Sequence, residues 1–123
     1  MRTKRMNWKT GCSVEVTLSI LGGVWKPVIV AHLLNGKRRF GELSRLVSGA
    51  TQRMLTLQLR ELERDGIVSR TVYAEVPPRV EYEITEFGAT LAPILDAMSM
   101  WGDKFKARCQ TLRLSQAAED DAA

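Results

Sequence analysis

The side chains best suited to chemistry lie on one polar helix face, formed by Gln52, Arg53 and Thr56. The Gln52 amide can pair with adenine, the Arg53 guanidinium can bind N7 and O6 of guanine, and Thr56 can meet a phosphate or a thymine methyl. Base pairs show these edges in the major groove of a DNA duplex, where the N-terminal part of a recognition helix lies. This face therefore predicts base contacts rather than catalysis.

Polar and basic residues on both sides of this face are suited to the DNA backbone. Lys37, Arg38 and Arg39 form a run of three cations before it, and Thr51 stands at its start. Arg60 lies about a turn beyond Thr56. Because phosphate contacts position a protein without reading sequence, we expect these five residues to contact the DNA backbone. A basic surface that is merely solvated is the alternative.

A β-hairpin is predicted directly after the helix. Gly66 ends the helix, a β-branched run follows from Ile67 to Tyr73, and a second strand with alternating polarity runs from Val80 to Ile84. The stiff connection contains Pro77, Pro78 and Arg79. We interpret these three residues as the tip of a wing, with Arg79 as a cation that enters a minor groove or follows the flanking backbone.

Arg70, within the first strand of this hairpin, is a weaker candidate for DNA. It could instead pair with Glu81 or Glu83 on the neighbouring strand.

Groups for catalysis or metal binding are scarce. Cys12 and Cys109 are too far apart in sequence for a zinc site or a disulfide scaffold, and the only histidine, His32, lies in an apolar run. No catalytic residue, metal site or cofactor is predicted. Cys12 precedes a predicted helix, whose dipole favours the thiolate, so it fits a redox sensor and equally a small packed residue.

The elements that must position these residues form a winged helix-turn-helix pattern. Helices are predicted over residues 14–21, 25–34, 41–47 and 51–65, with Ser13 and Thr51 as caps and a small strand at 37–40. Inward-facing leucines and valine are expected in the last two helices: Leu43, Leu46, Val47, Leu55, Leu59 and Leu62. The fold class is α+β and mostly α, with a hairpin wing after the helix-turn-helix.

A further helix is predicted after Thr85, reaching about Leu112, with Pro93 at its start or at a kink. Its apolar residues follow the alternating spacing of a heptad seam. We expect this seam to be a dimer contact, although packing onto its own domain would produce the same pattern. The predicted interface residues are Leu91, Leu95, Met98, Trp101, Gly102, Phe105 and Cys109.

Length and charge agree with one small nucleic-acid-binding domain. The chain has 123 residues, which we divide into a basic arm (1–11), the main domain (12–114) and a disordered acidic tail (115–123). Residues 1–60 carry a net charge of +9 and residues 61–123 a net charge of −5. Clustered positive charge indicates a polyanionic partner. No run is long and apolar enough for a membrane span or a signal peptide, so a cytoplasmic protein is expected.

Most of the chain resembles a known family. The stretches GCSVEVTLSILGGVWKPVIVAHLLNGKRRFGELSRLV, MLTLQLRELERDGIVSR and VPPRVEYEITEFGATLAPIL, with Trp101, are similar to the HxlR-type winged helix-turn-helix regulators of bacteria, which are MarR-like. The resemblance implies a homodimeric transcription regulator with a recognition helix at 51–65, a wing at 74–79 and dimer contacts from the first and last helices. Several members sense electrophiles or oxidants through a cysteine at the place of Cys12.

The sequence therefore predicts a homodimeric regulator that binds an inverted-repeat DNA operator, and not an enzyme. Thiol oxidation or electrophile modification of Cys12 is the candidate switch, which would make an oxidant or small molecule the effector. Two alternatives remain. One is a winged-helix protein-interaction module without DNA function. The other is a thiol-based redox enzyme using Cys12, for which His32 on an apolar helix is a poor base.

Overall fold

The computed structural model describes the backbone of residues 11–122, and their side chains except those of residues 115, 117, 118 and 120–122. The expected basic arm therefore lies, apart from Gly11, outside the described residues. In order, the elements are α1 (Ser13–Leu21), α2 (Trp25–Leu34), β1 (Arg38–Arg39), α3 (Phe40–Leu46), α4 (Gln52–Arg64), β2 (Val68–Tyr73), β3 (Arg79–Ile84), a 3-10 turn (Gly88–Leu91) and α5 (Ala92–Ala122). The chain divides into two compact units, Met1–Ala92 and Pro93–Ala123, and α5 makes up nearly all of the second.

The three strands form one antiparallel sheet in the order β1-β3-β2. Arg39 of β1 lies opposite Glu81 of β3, and the β2–β3 hairpin places Arg70 opposite Tyr82. Side chains alternate between the two faces of a sheet. Tyr82 is buried while its neighbour Glu83 is exposed, which confirms the predicted alternation along β3.

The core of the first unit surrounds the inner face of α4. Leu55, Leu59 and Leu62 are at most 1% exposed, which confirms the predicted apolar face. Other buried aliphatic side chains come from α1, α2, α3 and the start of β2: Leu21, Ile29, Val30, Leu33, Leu43, Val47, Ile67 and Val68. The expectation that Leu46 faces inward is wrong, because Leu43 and Val47, four residues apart, occupy the buried side of α3 and Leu46 is 43% exposed.

A buried ion pair joins α2 to α4. The ammonium of Lys26 donates a hydrogen bond to the Glu61 carboxylate, with Nζ 2.9 Å from Oε2. Their side chains are only 6% and 5% exposed, respectively. A charge so far out of water is tolerated only when it is compensated. The pair therefore fixes one position along α4 relative to the start of α2.

The end of α4 is tied to the wing. Gly66 adopts φ +77°, a left-handed conformation that glycine takes without strain, and it lets the chain turn from the helix into β2. The Thr85 hydroxyl at the end of β3 donates to the Gly66 carbonyl at 2.6 Å and accepts from the Gly88 N–H at 2.9 Å. These bonds hold both ends of the hairpin at the C-terminus of α4.

The turn between α3 and α4 packs against the start of α2. A Cβ added to Gly49 would lie 2.7 Å from the Trp25 ring. No real side chain fits at that distance, so a larger residue at position 49 would push this turn away from α2.

Both ends of the described chain differ from expectation. Cys12, rather than Ser13, is the N-cap residue of α1, and its side chain makes no capping hydrogen bond. At the other end α5 continues to Ala122, across residues for which we expect disorder. Alanine and glutamine favour helix once a long helix precedes them.

Within residues 11–122, no single helix is long and apolar enough to cross a membrane; α1 and α2 would pass on length and composition only as a pair bent by 80°.

Candidate nucleic-acid interface

Thr51 determines where α4 begins. Its Oγ1 accepts a hydrogen bond from the Met54 N–H at 3.1 Å, which confirms the predicted cap. Gln52 and Arg53 then stand in the first turn with exposed side chains. The Thr56 hydroxyl donates to the Gln52 carbonyl at 2.8 Å. Thr56 therefore offers its methyl group and its lone pairs, rather than its proton, to a ligand.

The outer face of α4 forms an open concavity with the first residue of α3. It brings together the three predicted base-contact residues and two of the predicted backbone contacts. Its lining consists of Phe40, Thr51, Gln52, Arg53, Met54, Thr56, Leu57 and Arg60. A side-by-side set of amide, guanidinium and hydroxyl groups on one helix suits base edges in a major groove.

A second concavity continues from this face to the wing. Thr56 of α4 and Phe40 of α3 line it, and the hairpin forms its other side. Its lining consists of Arg39, Phe40, Gly41, Thr56, Arg70, Glu75, Val76, Pro77, Pro78, Arg79, Val80 and Tyr82. Because the two concavities share Thr56 and Phe40, α4 and the wing present one continuous surface.

Three cations, two of which (Arg39 and Arg79) line the second concavity, face one carboxylate, Glu81. Arg79 Nε lies 3.6 Å from Glu81 Oε2, and Lys37 Nζ and Arg39 Nε each lie 3.9 Å from a Glu81 oxygen. The side chains of Lys37 and Arg39 are 51% and 57% exposed. Exposed pairs of this kind contribute about 0–1 kcal/mol, so a phosphate can compete with Glu81 for both cations.

Arg79 is held more firmly than the sequence pattern indicates. Besides Glu81, its guanidinium pairs with Glu75, with Nη2 3.3 Å from Oε1, and lies 4.1 Å above the Tyr73 ring. The tip of the wing is instead apolar and exposed, formed by Val76, Pro77 and Pro78 around a cis Val76–Pro77 bond. Arg79 therefore braces the base of the tip.

Arg38 differs from its two neighbours. It lies opposite Tyr82, on the other face of the sheet from Arg39 and Glu81. Its side chain is half-buried, and its Nε is buried without a hydrogen-bond partner. Of the predicted run of three phosphate contacts, Lys37 and Arg39 are therefore the exposed pair.

Arg70 is the residue that sequence reasoning undervalued. In the register of the hairpin, Glu81 and Glu83 lie opposite Thr71 and Ser69, so they share the sheet face that Arg70 does not occupy. Arg70 is exposed and lines the wing concavity together with Thr56. The sequence does not give the register of the hairpin. Once the register is known, strand alternation places Arg70 opposite Tyr82.

Both cysteines are free thiols. Cys12 is exposed at the N-terminus of α1, while Cys109 on α5 is half-buried. The carbonyl of Cys12 accepts the first hydrogen bond of α1 from Val16 at 3.0 Å. Lys9, the cation nearest in sequence before Cys12, lies outside the described residues.

The residues of the predicted seam differ in how exposed their side chains are. Leu95 is buried, Leu91, Gly102 and Cys109 are half-buried, and the fully exposed members are Met98, Trp101 and Phe105. Trp101 and Phe105 stack, with ring centroids 5.6 Å apart. Ile94, which the predicted interface omits, and Leu112, the last residue of the predicted seam, are exposed on the same side of the helix. We call Ile94, Met98, Trp101, Phe105 and Leu112 the α5 stripe.

Comparisons with known proteins give one consistent family. Residues 20–110 match the family model described as HxlR-like helix-turn-helix. The uncharacterized HTH-type transcriptional regulator YdeP of Bacillus subtilis (strain 168) is 56% identical over 110 residues, 89% of this chain and 86% of YdeP. The redox regulator HypR in its reduced form matches with a TM-score of 0.76 at 52% identity, covering 81% of this chain and 99% of HypR. Diamide-treated YodB from B. subtilis gives 0.64 at 36% identity, covering 78% and 96%, respectively.

Proposed function

The chain belongs to the HxlR-like helix-turn-helix family of transcription regulators, and we propose that it acts as a homodimer on an inverted-repeat DNA operator. Family membership confirms the resemblance and the winged helix-turn-helix fold that the sequence predicts. The observation that carries the DNA proposal is the continuous surface from the polar face of α4 to the wing. Because the proposed target is chromosomal DNA, we also propose that the protein lies in the cytoplasm.

Base reading is assigned to the first half of α4. Gln52 and Arg53 are exposed and reach outward from the first turn, and Thr56 presents a methyl group one turn later. A bidentate contact from an amide or a guanidinium discriminates one base pair by about 1–3 kcal/mol. These residues therefore set the preference for the operator half-site.

Contacts to the DNA backbone surround this reading face. Lys37, Arg39 and Arg60 are exposed cations. Thr51 stands at the N-terminus of α4, where the N–H groups of a helix bind phosphates well. Arg79 would have to leave Glu75 and Glu81 to bind a phosphate, so we assign it to bracing Pro77 and Pro78 against the flanking DNA.

Dimerisation is assigned to the two exposed apolar faces outside this surface. The α5 stripe carries five large apolar side chains, and α1 carries Val14 and Leu18, 65% and 59% exposed. Large exposed apolar patches mark interaction sites, and two-fold dimers bury the same patch on both subunits. The half-sites should then lie about one helical turn of DNA, or a multiple of it, apart.

Footprinting on the DNA upstream of its own gene tests the proposal. We expect two protected half-sites related by inversion, with affinity that falls steeply as salt rises. Absence of salt-dependent duplex binding would favour the alternative, a protein-interaction module. The relatives are named as regulators and not as enzymes, which speaks against the thiol enzyme.

Redox control through Cys12 is the second part of the proposal. Solved relatives include HypR in an oxidized form, at 57% identity and a TM-score of 0.72, and the diamide-treated YodB. Oxidation would join two thiols in a disulfide and transfer two protons and two electrons to an oxidant such as diamide. The partner sulfur would be Cys12 of the second subunit or Cys109.

Cys12→Ser and Cys109→Ser variants separate these possibilities. Diamide should change the DNA affinity of the wild type and leave that of Cys12→Ser unchanged. A disulfide-linked dimer that persists in Cys109→Ser identifies the Cys12–Cys12 pairing. Equal responses of the wild type and Cys12→Ser to diamide would remove Cys12 from the sensing role.

A further inference from the structure

A small cavity lies where α4 meets the hairpin. It encloses about 160 Å³ and is lined by Thr56, Arg60, Glu63, Arg70 and Tyr82. We infer that this cavity is a subsite for one phosphodiester group of the DNA backbone, held between Arg60 and Arg70. The inference rests on the proposed duplex binding and adds the point at which the backbone crosses the protein.

The place of the cavity follows from the shape of a duplex. With α4 in the major groove and the wing at the adjacent minor groove, one phosphate strand must run between the two elements. The cavity occupies this junction, because Thr56 and Arg60 come from α4 and Arg70 and Tyr82 come from the hairpin. A strand of DNA that follows this surface therefore passes over two arginines.

The chemistry of the cavity suits a phosphate group. Arg60 and Arg70 are exposed and come from different elements, so two guanidinium forks can approach one group from two sides. The hairpin carboxylates Glu81 and Glu83 lie on the opposite face of the sheet from Arg70. Thr56 commits its hydroxyl proton to Gln52, so Arg60 and Arg70 supply the charged donors of the cavity lining.

Glu63 determines which kind of phosphate fits. It is exposed at the rim, three residues after Arg60, and its carboxylate offsets one of the two positive charges. The cavity lining therefore carries a net charge of +1. That charge matches a singly charged phosphodiester within a DNA strand better than a free phosphate, which is partly doubly charged at neutral pH.

The test measures the salt dependence of binding to a fluorescent duplex from the region upstream of the gene. Each phosphate contact contributes about 0.9 to the slope of log K against log salt. Since a homodimer carries two cavities, the double variant Arg60→Gln/Arg70→Gln should remove one contact in each, flatten the slope by about 1.8 and weaken binding about 60-fold at roughly 0.1 M salt, with the loss vanishing towards 1 M. The control Arg108→Gln/Arg113→Gln on α5 removes the same charge at two residues that line neither concavity nor this cavity, so it should change the slope little.

The double variant Arg60→Gln/Arg70→Gln tests whether the two arginines share one phosphate. If the two arginines share one phosphate, each single variant keeps one arginine on it and should flatten the slope by less than the double variant does. A double-variant loss of about 3.6, with about 1.8 from each single variant, would mean two separate phosphates and would overturn the subsite, as would a double variant with the same slope as Arg108→Gln/Arg113→Gln. If the wild type binds no duplex, the proposed function itself fails, which is a separate result. Circular dichroism checks that each variant is folded.

Discussion

Replacing Lys26 with methionine should destabilise the protein strongly. Methionine keeps the unbranched stem of lysine and removes the ammonium that donates to Glu61 at 2.9 Å. Since the Glu61 side chain is 5% exposed, its carboxylate would stay buried without this cation. Removing one member of a buried ion pair costs about 3–5 kcal/mol in the free energy of unfolding.

Thermal unfolding followed by circular dichroism measures this effect. For a chain of this length, 1 kcal/mol shifts the midpoint by about 3–5 °C, so the midpoint should fall by roughly 10–25 °C. Protein concentration must be equal in all samples, because the proposed dimerisation would stabilise the folded state by mass action. Lys37→Met is the matched control: its pair with Glu81 is 3.9 Å long and its side chain is 51% exposed, so the expected change is within about 0.5 kcal/mol.

The double variant Lys26→Met/Glu61→Leu separates charge from packing. Apolar residues of similar volume often replace a buried ion pair with little loss, or with a gain of about 1–4 kcal/mol. We therefore expect the double variant to recover most of the stability that Lys26→Met loses. A Lys26→Met protein as stable as Lys37→Met would refute the reasoning about buried charge. A double variant no more stable than Lys26→Met would show that side-chain packing, not charge, holds α2 against α4.

Three further predictions concern the proposed surfaces. Arg53→Ala should cost about 1–3 kcal/mol on the footprinted site and relax preference at one base position; an equal loss on a scrambled duplex, in the same titration, would refute base reading. Lys37→Met should weaken binding to all sequences and flatten the salt slope by about 0.9 per contact; an unchanged slope would remove Lys37 from the backbone contacts. Met98→Glu places a charge in the α5 stripe and should produce monomers in sedimentation, whereas Met100→Glu, half a turn away on the same helix and 66% exposed, should leave the dimer intact. Dissociation by both variants, or by neither, would contradict an interface centred on the stripe.

Residues close together in the sequence were enough to predict the buried face of α4 and its N-terminal cap. The spacing of Leu55, Leu59 and Leu62 identified the buried face of α4, because a helix repeats its faces every three or four residues. Thr51 was recognisable as a cap, since a hydroxyl at that position satisfies a free N–H of the first turn. Both features depend on residues only a few positions apart.

The sequence did not predict the features that depend on contacts between strands or between distant helices. Whether Arg70 faces Glu81 or Tyr82 is decided by a shift of one residue between strands, which reverses the face of every side chain. Arg79 looked like a free tip cation because Tyr73 and Glu75 become its neighbours only when the hairpin closes. Its third partner, Glu81, lies two residues along the same strand and was within reach of the sequence pattern. The same limit hid Lys26 and Glu61, which lie 35 residues apart in sequence.

The buried pair also bears on how a signal at Cys12 would reach DNA. Cys12 begins α1, and Gly22 and Gly23 join α1 to α2 with an 80° bend between the two helices. The Lys26–Glu61 pair then fixes α2 to the last turn of α4. If a disulfide at Cys12 displaced α1, the glycine pair could absorb the movement, or α2 could transmit it to α4 as a whole. Neither outcome would rearrange Gln52, Arg53 and Thr56 relative to one another, because Thr51 caps the first turn of α4 locally. A redox switch in this fold would therefore act on the spacing and orientation of the two recognition helices of the dimer, and not on the bases that each helix reads.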